Sequence, residues 1–293
     1  MAKILKKIIW SDDKPKIKEF ELDAPWIAEK HRAGQFIILK ISKDGERIPL
    51  TISNKNVEKG TINILFQEVG KTTMELGLLN KGDEVTDLCG PLGKPTHIEK
   101  FGTVVCIGGG IGVAPLHPIA QAMKQAGNKV ISIIGARTKD IMIYEELMKD
   151  ASDEVRLTSD DGSCGRHGIV TDELKNILDS GIKVDLVVAI GPPIMMKMVA
   201  KVTEPAKIST YASLNTIMVD GTGMCGACRV TVGGKTKFVC VDGPEFDAHQ
   251  VDFDEMLNRM KQYKDEEDTA RDIFLYKHDK KSGGCCCGGG NIA

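Results

Sequence analysis

The spacing of apolar and polar positions changes character near residue 100. Before it, short runs such as 35–41 and 61–66 are rich in Ile, Leu and Phe. They end at Gly, Asp and Asn-Lys turns, as half-buried strands do. Regular spacing of such strands predicts a small antiparallel β barrel over residues 1–98. Beyond it, 103–107, 130–134 and 185–190 are predominantly apolar, strand-like runs, while 115–125 and 143–149 have helical spacing. Strands alternating with helices predict a parallel sheet with crossovers, an α/β domain over 99–210. A cysteine-bearing loop region occupies 211–246. The tail, 247–293, has helical periodicity at Phe253, Met256, Leu257 and Met260 and ends in a Gly/Cys tract.

Bulk composition narrows the class. A chain of 293 residues accommodates two or three domains with their own cores. A net charge of −2 gives no electrostatic case for a nucleic-acid or membrane partner. No apolar run reaches the roughly 18 residues of a membrane span, and none has signal-peptide form. Nine cysteines in such a chain point to metal binding by reduced thiols in a cytoplasmic protein.

Three of those cysteines carry the sharpest signal. Cys225, Cys228 and Cys240 follow a Gly-rich loop with two residues, then eleven, between them. Plant-type [2Fe–2S] sites use C-x4-C-x2-C with a distant fourth cysteine. Here the first position of that pattern holds Asp220. A carboxylate is a harder donor than a thiolate, so it is expected to shift the reduction potential and make ligation pH-sensitive. Gly221, Gly223 and Gly226 would let backbone amides turn toward the sulfurs. The residues leave alternatives open: zinc on the three cysteines, a fourth thiolate from Cys285, Cys286 or Cys287, or Asp220 as a turn residue. Cys106 reads as core. Cys89 and Cys164 read as small apolar fillers, with contact to a cofactor as the alternative.

Gly108, Gly109, Gly110 and Gly112, with Ala114 and Pro115, follow a strand and open a helix. Such a loop lets backbone approach a pyrophosphate at a helix N-terminus, though a tight turn alone would have the same glycines. Loops 158–165 and 191–196 also follow apolar strands. From them Asp160 or Asp161 would accept ribose hydroxyls or cap a turn, and Gly191 would line the nucleotide. Arg137 stands where it would favour a 2′-phosphate or simply be solvated, so NAD(H) is expected with NADP(H) as the alternative. His117 and His167 read as solvated or capping residues.

A barrel followed by a nucleotide sheet resembles the ferredoxin–NADP reductase superfamily. Arg47-Ile-Pro-Leu-Thr-Ile-Ser53, Val69-Gly-Lys-Thr-Thr73, Gly90-Pro-Leu-Gly93 and the loops at 108–115 and 191–196 carry the resemblance. With the cysteine loop it is similar to the electron-transfer subunits of dihydroorotate dehydrogenase. It is more closely similar to the small subunits of NADH-dependent reduced ferredoxin:NADP oxidoreductase, over residues 1 to about 245. The resemblance implies FAD on the barrel, with Pro49, Leu50 and Thr51 along the ring and ribityl chain. Arg47 and the backbone at Val69, Gly70, Thr72 and Thr73 would meet the pyrophosphate. Arg47 stands four residues before Thr51, however, where the superfamily has three; a β-bulge would restore the geometry.

The small-subunit type favours Asp as fourth cluster ligand, whereas the orotate type has Cys, so Asp220 favours the former. The chain would then pass electrons from NADH through FAD to the [2Fe–2S] cluster. A larger partner subunit with its own FAD and iron–sulfur clusters would complete a heterodimer, bifurcate electrons and deal with ferredoxin. The tail at 250–275 would dock that partner or pack on its own domain. A regulatory nucleotide-fold module without flavin is a reading from another class.

Overall fold

The computed structural model describes residues 1–13 and 15–282. The first unit contains β1 (Ala2–Ser11), β2 (Ile17–Asp23), α1 (Pro25–Lys30), β3 (Phe36–Lys40), β4 (Arg47–Asn56), β5 (Thr61–Gln67), α2 (Lys71–Leu78), β6 (Glu84–Val85) and β7 (Asp87–Leu92). Its seven strands form a nearly closed antiparallel sheet in the order β6-β1-β2-β5-β4-β3-β7. Alternation sends Phe20, Leu22, Ile37, Leu39, Ile52, Ile62, Ile64 and Phe66 inward. Phe20 and Phe66 meet edge to face at 5.1 Å. The two helices were not expected from the strand pattern. They are only 6 and 8 residues long, too short for a visible period, and Leu76 of α2 fills the barrel core.

The second unit contains β8 (Thr103–Gly109), α3 (Val113–Gln125), β9 (Lys129–Ala136), α4 (Glu145–Ala151), β10 (Glu154–Ser159), β11 (Arg166–His167), α5 (Val170–Asp179), β12 (Leu186–Ile190), α6 (Pro193–Thr203) and β13 (Ser209–Ser213). The sheet order is β11-β10-β9-β8-β12-β13, all parallel, with one later strand, β16 (Glu245–Asp247), beyond β13. Val104, Cys106, Leu186 and Val188 face α3 and α4, while Val105, Ile107, Val187 and Ala189 face α5 and α6. Both faces are covered, which is why these strands read as nearly continuous apolar runs.

The third unit hangs from the edge of that sheet. It contains β14 (Arg229–Val232), β15 (Lys235–Phe238), α7 (Val239–Asp242), β16 (Glu245–Asp247), α8 (Phe253–Met260) and α9 (Lys264–Ser282). β16 returns antiparallel to β13, so the cysteine loop is an excursion between two strands of one sheet. Phe36 and Ile38 of the barrel, Val187 of the sheet and Cys228, Val230 and Cys240 of the loop share a single core.

The tail is two helices. Phe253 and Met256 bury α8 in the shared core. After Met260 the apolar spacing gives way to polar residues, and short i→i+3 bonds from Lys261 and Gln262 close the helix. Ile273, Leu275 and Tyr276 of α9 are exposed. Cys285, Cys286 and Cys287 lie outside the described residues.

His117 departs from its expected solvated or capping role. It is buried between barrel and sheet, edge-on to Tyr144 at 5.9 Å, with Nδ1 3.4 Å from the Ser53 carbonyl oxygen. Tyr144 donates to Ser53 Oγ across the same seam at 3.2 Å. His167 is exposed on β11.

Candidate functional site

Asp220, Cys225 and Cys228 come from the loop after β13, and Cys240 from α7. Cys228 Sγ and Cys240 Sγ are 3.2 Å apart, both buried, while Cys225 is exposed. Gly221, Gly223 and Gly226 have φ of +83°, +84° and +66°, the left-handed region that favours glycine. The turns they make aim amides at sulfur. N–H groups of Ala227 and Asp220 face Cys225 and hold its thiol below the usual range. Cys240 has an N–H from Gly223, but burial and the Cys228 thiol push it up to about 12. A bound cation would reverse that balance.

The Thr222 hydroxyl, followed by the N–H groups of Thr222 and Met224, keeps the Asp220 carboxyl below the usual carboxylate range. All three donate to Oδ2. Cys228 and Cys240 thus form one close buried pair, while the Asp220 carboxylate caps the turn at Thr222 and Met224. Among the described residues no three His, Cys, Asp or Glu side chains converge as they would on one metal ion. Three thiols and a carboxylate on one glycine-rich loop and on α7 are a donor set that fits an iron–sulfur group.

Beneath this loop lies the outer face of the barrel. Cross-strand register aligns Arg47, Lys40 and Asp87 in one row, Pro49, Ile38 and Cys89 in the next, and Thr51, Phe36 and Leu92 in the third. A Cβ on Gly221 would lie 2.6 Å from Ile38 Cγ1 and 3.0 Å from Leu92 Cδ1, so the cluster loop rests its backbone on this face. Beside the contact a cleft of about 340 Å³ opens between Pro91, Leu92 and Gly93 and the loop at Gly221, Thr222 and Cys240. Leu50 packs against the barrel core, which leaves its backbone for the outer face.

The β3–β4 register from Phe36↔Thr51 to Lys40↔Arg47 is unbroken, so the bulge invoked for Arg47 is absent. Arg47 Nη1 is 2.9 Å from Asp87 Oδ2, and Nε donates to the Val219 carbonyl at 3.2 Å. Its partners are therefore the barrel and the cluster loop, with none at α2. At the start of α2, Thr73 Oγ1 accepts from Val69 N and Gly70 N at 3.0 and 3.1 Å. Thr72 donates to Glu46, whose carboxylate also lies 3.7 Å from Lys71 Nζ. Glu46 thus brings a carboxylate to the Lys71 and Thr72 side chains in the first turn of α2, a position where an anion is accommodated.

The nucleotide loops meet at the switch point between β8 and β12. A Cβ on Gly112 would lie 2.3 Å from the Ile190 carbonyl oxygen, and one on Gly191 would lie 3.1 Å from Gly109 N and O. Gly110 has φ +56° and open space. Gly108, Gly109 and Ala114 are buried and Pro115 is half-buried. Arg137, Asp160 and Asp161 are exposed and gather beyond β9 and β10, where Asp161 N donates to the Arg137 carbonyl at 3.2 Å. The Asp161 carboxylate accepts from Ser163 N and Oγ, as a turn cap does. Cys106 is core, with burial pushing its thiol up to about 12. Cys89 is half-buried against the shared core, and Cys164 engages Ser159 through its backbone.

Residues 215–252 match the iron–sulfur cluster binding domain of dihydroorotate dehydrogenase B, and 106–201 match the oxidoreductase NAD-binding domain. The chain is 45% identical to a Thermotoga maritima protein named as a homolog of dihydroorotate dehydrogenase B (NAD(+)), electron transfer subunit, over 94% of this chain and 96% of that one. It is 34% identical to the electron transfer subunit of Bacillus caldolyticus over 80% of this chain and 91% of that one. The chain belongs to the family of dihydroorotate dehydrogenase B electron-transfer subunits and their homologues.

Within that family, the chain superposes with TM-score 0.89 and 43% identity on a chain from the NADH-dependent reduced ferredoxin–NADP oxidoreductase, a structure solved to study flavin-based electron bifurcation. The match covers 94% of this chain and 98% of that one. Ferredoxin–NADP+ reductase of Plasmodium falciparum, at 14% identity and TM-score 0.55, shares the fold. The family member is thus an oxidoreductase subunit of ferredoxin–NADP reductase type, with FAD, a [2Fe–2S] cluster and NAD(H) as cofactors. As an electron-transfer subunit it works with a partner subunit. Among the described residues no helix is long and apolar enough to cross a membrane.

One polar group at this junction had no sequence signal. Glu245 on β16 accepts from Thr96 Oγ1 at 2.5 Å, beside Gly34 of the barrel. Burial pushes its carboxyl up to about 7. A single Glu in a three-residue strand gives no hint of this; only the folding of three units around it does.

Proposed function

We propose that the chain is the small subunit of a ferredoxin:NADP oxidoreductase complex of the electron-bifurcating kind. It passes electrons between NAD(H) and a larger flavin and iron–sulfur subunit, as half of a cytoplasmic heterodimer that meets ferredoxin through the partner. One observation carries the reading: the cluster loop is seated through Gly221 on Ile38 and Leu92, which lie in the same cross-strand rows as Pro49 and Thr51. On this reading the cluster site and the flavin face are neighbours, as an electron relay requires.

Bound flavin supplies the exchange of a hydride for single electrons, and the bound cluster carries those electrons. Pro49, Thr51 and the Leu50 backbone line the flavin ring. The backbone at Val69, Gly70, Thr72 and Thr73 meets its pyrophosphate. Gly108, Gly109, Gly110 and Gly112 with Ala114, Pro115 and Gly191 hold the nicotinamide dinucleotide. Asp160 or Asp161 reaches the ribose, with Arg137 beside them. Asp220, Cys225, Cys228 and Cys240 ligate iron.

An anaerobic NADH titration of the purified chain, followed by visible absorbance and low-temperature EPR, tests this. Flavin bleaching together with a reduced [2Fe–2S] signal is expected. Protein without flavin would refute the reading. The orotate-linked reading is favoured by the names of the curated relatives, and Asp220 speaks against it. Co-purification separates the two: a cysteine-rich flavoprotein partner supports the bifurcating complex, and an FMN-bearing barrel supports the orotate enzyme.

A further inference from the structure

Arg47 lies 172 residues before Val219 in sequence, yet its Nε donates to the Val219 carbonyl at 3.2 Å. That carbonyl belongs to the peptide unit joining Val219 to Asp220. The N–H of the same unit is the Asp220 amide that faces the Cys225 sulfur. In a trans peptide the C=O and N–H point opposite ways. A cation on the oxygen side therefore polarises the unit so that its N–H becomes a stronger donor on the other side. Asp87 holds the far arm of the guanidinium at 2.9 Å, which fixes the planar fork against the strand. The chain of contacts runs Asp87, Arg47, the peptide between residues 219 and 220, Cys225.

We propose that Arg47 is a positioning residue of the iron–sulfur site, clamping the cluster loop to the barrel and polarising the amide that faces Cys225. The proposal rests on the reading that this loop holds the cluster. Two consequences follow from charge and geometry. The guanidinium stabilises the added negative charge of a reduced cluster, both directly and through the N–H facing sulfur. It also restrains Val219 and Asp220, so the first ligand is presented from a fixed peptide plane. Gly221 completes the clamp on the other side, where its backbone touches Ile38 and Leu92.

The test compares wild type, Arg47→Gln, Arg47→Lys and Asp87→Asn, each purified anaerobically. Iron, acid-labile sulfide and FAD per chain are measured first. Separate potentiometric titrations of flavin and cluster follow, with EPR of the reduced cluster and hydrogen exchange over residues 215–228. Arg47→Gln is expected to keep its FAD and flavin potential, to move the cluster potential negative, to change the EPR spectrum and to speed exchange at 219–225. Arg47→Lys, which restores charge without the fork, is expected to recover part of the potential but little of the exchange protection. Asp87→Asn removes a negative charge and is expected to move the cluster potential the opposite way. It also stands in should Arg47→Gln fail to fold.

Loss of FAD in Arg47→Gln with cluster potential and exchange unchanged would overturn the proposal and return Arg47 to the pyrophosphate. Shifts of the same sign in Arg47→Gln and Asp87→Asn would overturn it as well, since a merely structural role predicts that. Wild-type protein lacking iron and sulfide would refute the cluster reading itself, a result visible before any variant is made.

Discussion

Replacing Gly221 with Ala tests the seating of the cluster loop with one methyl group. The residue has φ +83°, where a side chain on an L-residue costs roughly 1–2 kcal/mol. The new Cβ would stand 2.6 Å from Ile38 Cγ1 and 3.0 Å from Leu92 Cδ1. Carbon atoms rest at about 3.5–4.0 Å, so loop or barrel must yield by roughly 1 Å. Overpacking of this kind costs about 1–3 kcal/mol. Together the penalty is roughly 2–5 kcal/mol, and it falls on the docked loop rather than on either folded unit. At about 1.4 kcal/mol per decade, the lower bound alone weakens docking by more than tenfold.

The variant is therefore expected to keep FAD and to bleach normally with NADH. It should lose cluster content, or pass electrons from flavin to cluster more slowly. Iron and sulfide assays with stopped-flow absorbance read both. A double variant with Ile38→Ala should cost less than the sum of the two single changes, because the methyl then enters the space vacated. Gly221→Ala with full iron content and wild-type transfer to the cluster would refute the close seating.

Glu245→Gln addresses the buried carboxyl. Its folded pKa of about 7 lies above the ordinary 4.5, so folding favours the protonated form. That stability is present below pH 4.5 and lost as pH rises through about 7. Gln mimics the neutral group, so the variant should match wild type in acid and gain up to roughly 3 kcal/mol above neutrality. Urea unfolding that shows the same difference on both sides of this window would contradict the assignment. Asp220→Ala should lower iron per chain and alter the reduced EPR spectrum, while Asp220→Cys should retain a cluster with an all-thiolate spectrum. If Asp220→Ala leaves iron and spectrum untouched, Asp220 is no ligand. Gly112→Ala would push a Cβ to within 2.3 Å of the Ile190 carbonyl. At about 1–3 kcal/mol of overpacking, NADH should bind roughly ten-fold more weakly or worse, with cluster content unchanged. An unaltered NADH titration would separate the loop contact from nucleotide binding.

What was legible in the sequence shares one property: it is decided within a few consecutive residues. The positions of Cys225 and Cys228, with Asp220 five residues before the first, depend on backbone turns that local glycines permit. The step from β8 through the glycines into α3 is likewise a strand, a turn and a helix in unbroken succession. Doubly buried strands announce themselves because neither face can be polar. The tail misled for the complementary reason. Helical spacing at Phe253, Met256 and Met260 was real, but where the helix stops depends on the core that α8 reaches and α9 does not.

The remaining features belong to tertiary structure because they join residues that only sheet register and packing bring together. Arg47 was expected at a phosphate from its place in a motif. The regular pairing of β3 with β4 turns it instead to the row of Asp87 and toward Val219. Glu46 at α2, His117 under Ser53 and Glu245 beside Thr96 are likewise chosen by elements far away in the chain. Residue types and spacing determined which chemistry the chain can perform, because ligand sets and glycine turns are local. The fold decided which charges face that chemistry, because electrostatic and packing partners depend on distance in space, and distance in sequence does not constrain it.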